Sequence, residues 1–351
     1  MSNYLYTITN RQTANAVVGM EILKNGALRF VKDSPFPTGG KGSPSSQSQN
    51  GVWIDQDLLY AVDFGSSSFA IFRKNPDGTL TRLNDNPIPS QGNSPCSVCV
   101  SDGVLYLVNQ GIRSSGGKAE PNLAIFAVEG ENVRHLPRSG FKLRRGESPT
   151  QVIVNRQGTV LAVPSVRARG SLVHFYKIDA GAAPGPGLLT EFENSPFAIT
   201  DTGFGFGSTW KSDGRTFFMT NATGSGSVVR LAVDASSGRI VEKARATTPG
   251  NACWSALGRG ETKLYVANLL SLIVFDVSGN KLEQVQSADV ADVPKPVLRD
   301  LILGPGGKFL YAIEQRRRRI LVYSVAKDGR VALSDELAIG VPGHTLGLAI
   351  G

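Results

Sequence analysis

The stretch FLYAIEQRRRRILVYSV, Phe309–Val325, contains two segments of alternating apolar residues separated by four consecutive arginines. Alternation with a period of two is typical of β-strands, so the stretch predicts an antiparallel strand pair joined by the arginine segment. Four adjacent guanidinium groups repel one another, and a tight turn usually contains Gly, Asn or Asp rather than Arg. The position of Arg316–Arg319 therefore depends on the architecture to which the two strands belong.

The composition of the 351-residue chain favours an all-β fold, because 40 Gly and 19 Pro separate short apolar runs and no long stretch has a helical period. The N-terminus, MSNYLYTITN, lacks the basic and apolar regions of a signal peptide. The apolar runs are shorter than a membrane span. Three cysteines are not the even set of a disulfide framework. We therefore expect a cytoplasmic protein.

A net charge of +8 and an isoelectric point of about 9.4 favour anionic partners. The interleaved aromatic and basic motifs of RNA-binding domains and the ligand spacings of zinc sites do not occur in the sequence. We therefore expect an anionic small molecule as the partner, with no nucleic acid, membrane, metal ion or cofactor. The protein should be a monomer or a weak homo-oligomer.

One short pattern recurs along the chain: a turn, two or three apolar residues, and then a small or polar residue. Its central positions lie 46 to 57 residues apart, at Tyr6, Tyr60, Tyr106, Leu161, Phe218, Tyr265 and Tyr311. Each copy is followed by a second alternating strand, a weaker third strand and a Pro- or Gly-led segment that enters a fourth. Self-similarity at this spacing predicts an all-β fold, a seven-bladed β-propeller with four antiparallel strands per blade.

The two ends of the chain should complete one blade. The interval from Tyr311 through both termini to Tyr6 is 46 residues, the length of an ordinary repeat. The C-terminal strand, Gly343–Ile350, should therefore pair as the inner strand with the N-terminal strand, Tyr4–Thr9. Sharing one blade between the termini leaves no unpaired edge. The sequence thus predicts a single domain, residues 1–351, that forms a closed ring.

The segment YVAN, Tyr265–Asn268, and the Pro-led inner strands with SDG turns resemble the seven-bladed propeller lactonase family. That family includes the propeller-type 6-phosphogluconolactonases and the carboxymuconate cycloisomerases. The resemblance extends over the whole chain and implies chemistry on a lactone ring. Such proteins often carry Pro-Arg-His near the top of an inner strand, with the histidine lining the channel. The matching positions here are Cys96, Gln151, Gly207 and Asp300.

The long loops, which follow the second and fourth strands of each blade, should gather on one face and carry function. Their arginines include Arg144, Arg145, Arg167, Arg169 and the run that begins at Arg316. We expect them to form a collar that attracts an anionic substrate, since arginine binds carboxylate and phosphate in a bidentate manner. Arg299 and Gln151 are further substrate-binding candidates. The alternative is a solvated charge run that only keeps the protein soluble.

His344 is the candidate general acid or base, because imidazole titrates near neutrality and lactone chemistry requires a proton to be delivered or removed. Asp300 is the candidate that orients or activates water. Glu314 and Asp63 end the second strand of their blades, where other blades have Asn, and are candidate pocket carboxylates. The structural alternatives are a backbone contact for His344 and an ion pair for Asp300. His174, in a third strand away from the axis, is predicted to be structural.

Three functions stay open from the sequence. The first is an enzyme that hydrolyses or forms a lactone of a carboxylated or phosphorylated small molecule at the basic channel entrance. The second is a non-catalytic propeller that binds a protein or an anionic ligand on its basic face. The third is an isomerase or cyclase of a specialised pathway on the same scaffold.

Overall fold

A computed structural model describes residues 3–44, 49–112, 117, 119–167, 170–179, 181, 185, 187–199, 203–222, 226–290, 295–340 and 345–351. Nearly all regular structure in these residues is β-strand. The helical segments within these ranges are two three-residue 3-10 turns, Phe64–Ser66 and Pro305–Gly307. No helix in the described part of the chain is long and apolar enough to cross a membrane.

The first three blades are built in chain order. Strands β1–β4 of blade one are Asn3–Ile8, Ala16–Ile22, Leu28–Phe30 and Phe36–Pro37. Strands β5–β9 of blade two are Val52–Asp55, Leu58–Asp63, Ser68–Lys74, Leu80–Arg82 and Ile88–Pro89. Strands β10–β14 of blade three are Pro95–Ser101, Val104–Asn109, Asn122–Glu129, Asn132–His135 and Phe141–Lys142.

The other four blades follow, and the last strand returns to blade one. Strands β15–β20 of blade four are Ser148–Pro149, Ile153–Val154, Val160–Val166, Ser171–Ile178, Leu189–Glu191 and Phe197–Ile199. Strands β21–β24 of blade five are Phe204–Trp210, Thr216–Ala222, Ser227–Val233 and Ile240–Thr247. Strands β25–β28 of blade six are Trp254–Leu257, Lys263–Asn268, Ser271–Asp276 and Glu283–Asp289. Strands β29–β32 of blade seven are Leu298–Leu303, Phe309–Glu314, Arg319–Val325 and Val331–Ala338, and β33 is Leu346–Ile350.

Each blade is an antiparallel sheet, and in blades two to seven the strands run outward from the axis in chain order, as in β21-β22-β23-β24 of blade five. In the first four blades the outermost strand is split into two short pieces, and both pieces pair with the third strand. The inner strands of neighbouring blades contact one another around the ring. The predicted seven-bladed architecture with four antiparallel strands per blade is confirmed.

The ring closes through the C-terminal strand. Strand β33 pairs antiparallel with β1, and Leu5 lies opposite Ile350. Strand β33 also contacts the inner strands of blades two and seven. The predicted closure is confirmed, although the described strand begins at Leu346 rather than at Gly343. Residues 341–344 lie outside the described residues.

The tyrosine of the recurring pattern joins neighbouring blades. The hydroxyl of Tyr6 in blade one donates to the carbonyl oxygen of Gly78 in blade two at 2.9 Å. Tyr265 of blade six and Tyr311 of blade seven make the same contact with a glycine carbonyl of the following blade, each at 3.1 Å. The glycine is in a turn with positive φ, where a backbone carbonyl can approach the ring closely. The hydroxyl groups of these three tyrosines therefore join neighbouring blades.

The strand order fixes two faces. The loops after the second and fourth strands lie on the face that we call the upper face, because each inner strand starts there. The short turns after the first and third strands lie on the opposite, lower face. A candidate site on the upper face is therefore built from long loops, whereas the lower face presents tight turns.

Candidate functional site at the upper face and the central channel

Exposed arginines are spread over the upper face. Arg144, Arg145, Arg167 and Arg316 are exposed there, on loops between blades or between the second and third strands of a blade. Arg169, the other predicted member of the collar, lies outside the described residues. The described members give this face the positive charge that steers anions toward a surface.

The arginine run divides into two parts. Arg316–Arg318 are exposed on a turn, in which Arg318 has a φ of 55°. Arg319 begins β31 and is only 3% exposed. Its guanidinium lies 3.7 Å from the Glu314 carboxylate and also contacts Glu336 of the outer strand. The first three arginines therefore belong to the surface, and the fourth is part of a buried ion pair rather than of the predicted collar.

Glu314 organises the loop that carries these arginines. Its carboxylate is fully buried and accepts hydrogen bonds from the backbone N–H groups of Val297, Arg316 and Arg317 at 2.9 to 3.1 Å. Together with Arg319 these donors balance its negative charge. Its contacts tie the loop after β30 to the segment that enters the inner strand β29.

Asp63 occupies the same repeat position in blade two but has different surroundings. It is fully buried between blades one and two, and its Oδ1 atom accepts hydrogen bonds from Thr38 Oγ1 at 2.6 Å and Asn15 Nδ2 at 2.9 Å. Its Oδ2 atom has no hydrogen-bond partner among the described residues. Burial raises the pKa of Asp63 to about 7, against the opposing effect of these hydrogen bonds and of the Arg82 charge.

Four matching positions singled out by the family resemblance lie where the inner strands bulge. Cys96, Gln151, Gly207 and Asp300 each interrupt the register between an inner strand and its neighbour. A bulge turns a side chain or backbone group out of the regular ladder. In this molecule the bulge residues of blades four and seven are directed toward the next blade.

Asp300 and Gln151 use their bulges to hold the following inner strand. Asp300 accepts hydrogen bonds from the backbone N–H groups of Leu301 and Leu348, both at 2.9 Å, and also from Gly347. Gln151 accepts hydrogen bonds from the N–H and hydroxyl groups of Ser208 at 2.6 and 2.7 Å. Burial raises the pKa of Asp300 to about 7, although its backbone hydrogen bonds oppose the shift. Both side chains therefore join blades.

Arg299, the neighbour of Asp300, lies at the upper end of the inner strands of blades six and seven. Its guanidinium stands over the ring of Trp254 with 5.4 Å to the ring centroid, and Nε donates to Gln315 Oε1 at 3.1 Å. The side chain is half-buried, and it makes no ion pair with a carboxylate among the described residues. Burial raises the pKa of the adjacent Cys253 thiol to about 11, so this cysteine is protonated at neutral pH.

Gln49 crosses the central channel. It precedes the inner strand of blade two, and its Nε2 atom donates to the carbonyl oxygen of Ser255 in blade six at 3.2 Å. Blades two and six are three places apart in the ring of seven, the largest separation that the ring allows. The side chain therefore lies across the channel at the level of Ser255.

The lower half of the channel encloses a cavity of about 400 Å³. Its walls are the second halves of inner strands, including Val52–Ile54, Leu301–Leu303 and Leu348–Ile350. Gln49 and Gln151 lie at its inner end. Because these strands lead into the short turns, the cavity opens toward the lower face, away from the arginines.

A histidine between two glutamates lies away from the axis. His174 Nε2 is 2.8 Å from Glu147 and its Nδ1 is 3.1 Å from Glu191, and Ser195 donates to Glu191 at 2.8 Å. Burial lowers the pKa of His174, but the two glutamates outweigh burial and the pKa is raised. For Glu191, burial is outweighed by His174, Ser195 and the nearby Arg144, so its pKa is lowered. The arrangement is that of an ion triad in which His174 and Glu147 are buried and Glu191 is partly exposed.

Among the described residues, no group of three His, Cys, Asp or Glu side chains is placed to hold a metal ion. His344, the predicted proton-transfer residue, lies outside the described residues. Gln49 and Trp254 were not predicted from the sequence. The sequence indicates a role for Gln49 only weakly, through its position two residues before the glycine that leads into an inner strand. Trp254 could be identified only from its contact with Arg299.

The geometry defines a seven-bladed β-propeller with exposed arginines on its upper face and a glutamine side chain across its channel. No protein-family model and no curated protein matches the sequence. Solved structures share the fold over nearly the whole chain. One is a Bacteroides fragilis protein described as a "putative 6-phosphogluconolactonase", with a TM-score of 0.76 and 15% identity, covering 100% of this chain and 98% of that one.

Two other solved structures give the same result. The periplasmic gluconolactonase of Pseudomonas aeruginosa has a TM-score of 0.73 at 17% identity, and 99% of each chain is covered. A Lactobacillus plantarum protein has a TM-score of 0.75 at 16% identity, covering 100% of this chain and 99% of that one. At such identities the likeness shows a common fold. The resemblance to propeller lactonases is therefore confirmed at the level of the fold.

Proposed function

We propose that the protein hydrolyses lactones that carry a carboxylate or phosphate group, and that they bind at the upper mouth of the channel. The observation that carries the proposal is the state of Arg299. This side chain is held against Trp254 and by Gln315, without a carboxylate partner among the described residues. A half-buried guanidinium held in this way is prepared to bind an anion in a bidentate manner.

Two further observations support the proposal. Exposed arginines on the surrounding loops raise the local concentration of anions near the mouth. Solved propellers of the same fold include proteins named as a gluconolactonase and a putative 6-phosphogluconolactonase. A fold can host many functions, whereas Arg299 is a specific feature of this site.

The proposed reaction adds water across the ring ester. The water oxygen bonds to the carbonyl carbon, the bond from that carbon to the ring oxygen breaks, and a proton moves from the water to the departing ring oxygen. A general acid or base near neutrality serves this transfer, and His344 is the proposed residue. In the sequence it directly precedes Thr345, whose carbonyl oxygen accepts a hydrogen bond from the Gln315 side chain at 3.2 Å. The same Gln315 binds Arg299.

The three buried cysteines form no disulfide with one another, which suits a reducing compartment, and we propose that the protein acts in the cytoplasm. The catalytic roles suggested for Asp300, Glu314 and Asp63 stay proposals. The geometry gives each of them hydrogen bonds to the protein's own groups.

The proposal is tested by measuring ring opening for a panel of lactones with and without a carboxylate or phosphate group. We expect hydrolysis of the charged members, with kcat/KM falling as salt is added because exposed charges are screened beyond about 10 Å at 0.1 M. Arg299→Gln should lower kcat/KM by roughly 10- to 100-fold, the effect of one charge-assisted contact. His344→Gln should lower kcat by about 10²- to 10⁴-fold.

Arg330→Gln is the matched control for Arg299→Gln, because Arg330 is an exposed arginine on a lower-face turn. It should leave kcat/KM unchanged. Equal rates for neutral and charged lactones would contradict the anionic substrate, and full activity of His344→Gln would contradict its role. Tight binding of anions without any ring opening would favour a binding propeller instead.

A further inference from the structure

Three junctions between neighbouring blades are built alike, around the tyrosine hydroxyl that donates to a glycine carbonyl oxygen. The residue two positions before each tyrosine packs against that glycine. It is aromatic, Tyr4 or Phe309, at the junction of blades one and two and at that of blades seven and one. At the junction of blades six and seven it is Lys263, which packs against Gly329. This junction therefore has a charged side chain where the other two have an aromatic ring.

The junction of blades six and seven contains a cavity of about 270 Å³ on the lower face. Three turns enclose it: the turn between β25 and β26 of blade six, and the turns between β29 and β30 and between β31 and β32 of blade seven. Four of its lining residues are basic and one is acidic, namely Arg259, Lys263, Lys308, Lys327 and Asp328. The lining thus has an excess of positive charge.

Two of these five charges are balanced within the protein. Lys263 Nζ donates to Asp276 Oδ2 at 2.7 Å. The Asp328 carboxylate accepts a hydrogen bond from the backbone N–H of Arg330 at 3.0 Å and lies 3.5 Å from the Arg330 guanidinium. The charge that remains at the cavity is that of the other three cations.

These three cations, Arg259, Lys308 and Lys327, are exposed and have no carboxylate partner among the described residues. The turn between β29 and β30 holds Arg259 in place. Its side-chain carbons pack against Gly307, and its Nη1 atom donates to the carbonyl oxygen of Gly306 at 3.3 Å. Its Nε and Nη2 atoms make no hydrogen bond to the described residues. Like charges around one cavity repel one another, and an anion between them removes this repulsion.

We propose that this cavity binds the phosphate group of a small, soluble phosphate monoester. Nε and Nη2 of Arg259 donate to two phosphate oxygens, and the ammonium groups of Lys308 and Lys327 contact the phosphate from the turns of blade seven. The exposed hydroxyl of Thr262 adds a neutral donor from blade six. A phosphate monoester suits these donors better than a carboxylate, because it carries a charge of about −1.5 to −2 at pH 7 and has three acceptor oxygens.

The size and position of the cavity restrict the ligand. Its volume lies just below the range of about 300 to 1,000 Å³ that is typical of small-molecule pockets, so the organic part of the ester must be small. Val325 and Ala326 offer that part an apolar wall. The cavity is on the lower face, whereas lactones are proposed to bind at the upper mouth, so the two sites are independent.

The test uses methyl phosphate as the probe, measured by titration calorimetry at constant ionic strength and pH 8, where a monoester with a second pKa of about 6 is a dianion. The full chain carries Arg299→Gln, which removes the anion contact proposed at the upper mouth. Methyl sulfate has the same tetrahedral shape but a single negative charge. We expect one molecule of methyl phosphate per chain and about tenfold weaker binding of methyl sulfate, because each exposed cation then interacts with half the charge.

Two substitutions locate the site. Arg259→Gln should weaken methyl phosphate binding about tenfold and Lys327→Gln about threefold, because the first removes a bidentate contact and the second a single exposed charge. Lys281→Gln is the matched control, because Lys281 is exposed on a lower-face turn of blade six and does not line the cavity. It removes the same charge from the same face and should leave binding unchanged. Unfolding curves for the three variants check the fold.

Four results would overturn the proposal. They are no saturable heat of binding with methyl phosphate, methyl sulfate binding as tightly as methyl phosphate, unchanged binding in a folded Arg259→Gln variant, and equal losses in Lys281→Gln and Lys327→Gln. The last result would mean that the net charge of the face attracts anions without a site. Failure of the lactone panel would not bear on this cavity.

Discussion

Carboxylates in blade four and at the boundary between blades one and two have different kinds of partner; Glu147 and Asp63 are buried, and Glu191 is partly exposed. In blade four, Glu147 and Glu191 bind the two nitrogens of His174. At the other boundary, Asp63 receives hydrogen bonds only from the neutral groups of Thr38 and Asn15, and both reach the same oxygen. The cation keeps the pKa of Glu191 low, whereas the pKa of Asp63 is raised to about 7.

Burial raises the pKa of both groups, but other groups oppose it to different extents. At Glu191 the hydrogen bonds and charge of His174, the Ser195 hydroxyl and the Arg144 charge outweigh burial, whereas hydrogen bonds from neutral donors do not outweigh it at Asp63 or at Asp300. The experiments below test this difference.

The largest expected effect comes from removing the cation of the triad. His174→Leu leaves Glu147 buried without its partner, and breaking a buried pair in this way costs about 3–5 kcal/mol. The measurement is the free energy of unfolding in urea at pH 6. Adding Glu147→Gln to His174→Leu should recover part of the loss, because the unpaired charge is removed as well. A loss below about 1 kcal/mol would mean that the triad does not stabilise the fold.

The pH dependence of the stability that His174 contributes is a second test of the triad. The folded-state pKa of His174 is raised, so the folded state holds its proton more strongly than the unfolded chain. The stabilisation is fully present below the ordinary histidine pKa of about 6.5 and is lost as the pH rises through the raised value. The difference between wild type and His174→Leu should therefore narrow between pH 6 and pH 9. The groups that face the ring are Glu147 and Glu191, with Arg144 beyond Glu191.

At Asp63 we expect a smaller change in the free energy of unfolding, because ionisation of this residue destabilises the folded state. Its raised pKa means that ionisation is more costly in the folded state, so stability falls as the pH rises from about 3.8 to about 7. Asp63→Asn removes this titration and keeps an acceptor for Thr38 and Asn15. The stability of the variant relative to wild type should increase by about 2–3 kcal/mol between pH 5 and pH 8.

Asp300→Asn is the matched control, because the pKa of Asp300 is also raised to about 7. Asp300 accepts hydrogen bonds from three backbone N–H groups, and an amide N–H2 group would face one of these donors. Asp300→Asn should therefore lower stability at low pH, where Asp63→Asn is close to neutral. A constant difference between Asp63→Asn and wild type at all pH values would contradict the raised pKa of Asp63.

The smallest expected change in the free energy of unfolding concerns two buried tyrosine hydroxyl groups, which are uncharged. The buried Tyr6 hydroxyl donates to Gly78, whereas the buried Tyr60 hydroxyl has no partner among the described residues. Tyr6→Phe should cost about 1 kcal/mol, and Tyr60→Phe should be neutral or slightly stabilising. Thermal and urea unfolding of the two variants measure the difference. Equal losses in both would show that ring packing, not the hydroxyl, sets the effect.

The sequence was sufficient for the architecture because the evidence for it is local and repeated. Alternating apolar residues mark each strand, and the repeat interval continues through the termini, so both the blades and their closure could be predicted. Cys96, Gln151, Gly207 and Asp300 stand at a constant distance before the turn that ends the inner strand, but the bulges at these positions were not predicted. His174 was correctly placed in a third strand, in β18.

The contacts of the site could not be predicted, because they join residues far apart in the chain. Gln49 and Ser255, which meet across the channel, are separated by 206 positions. Arg319 is buried while its three neighbours are exposed, and this depends on Glu336, an outer-strand residue whose register no local pattern specifies. Arg299 is a candidate from the sequence, but its place over Trp254 depends on how blades six and seven pack.

The closure of the ring has a mechanical consequence. Strands β1 and β33 are antiparallel, and the N–H and C=O groups of Tyr4 and Gly351 bond reciprocally at 3.0 and 3.1 Å, so the two chain ends leave the sheet side by side. A force that pulls these two ends apart acts perpendicular to the strands. It therefore breaks the hydrogen bonds between β1 and β33 one after another. A pull in shear would load the whole ladder together. Under tension the propeller should therefore open first at this seam, at a lower force than any blade whose strands are joined by a turn.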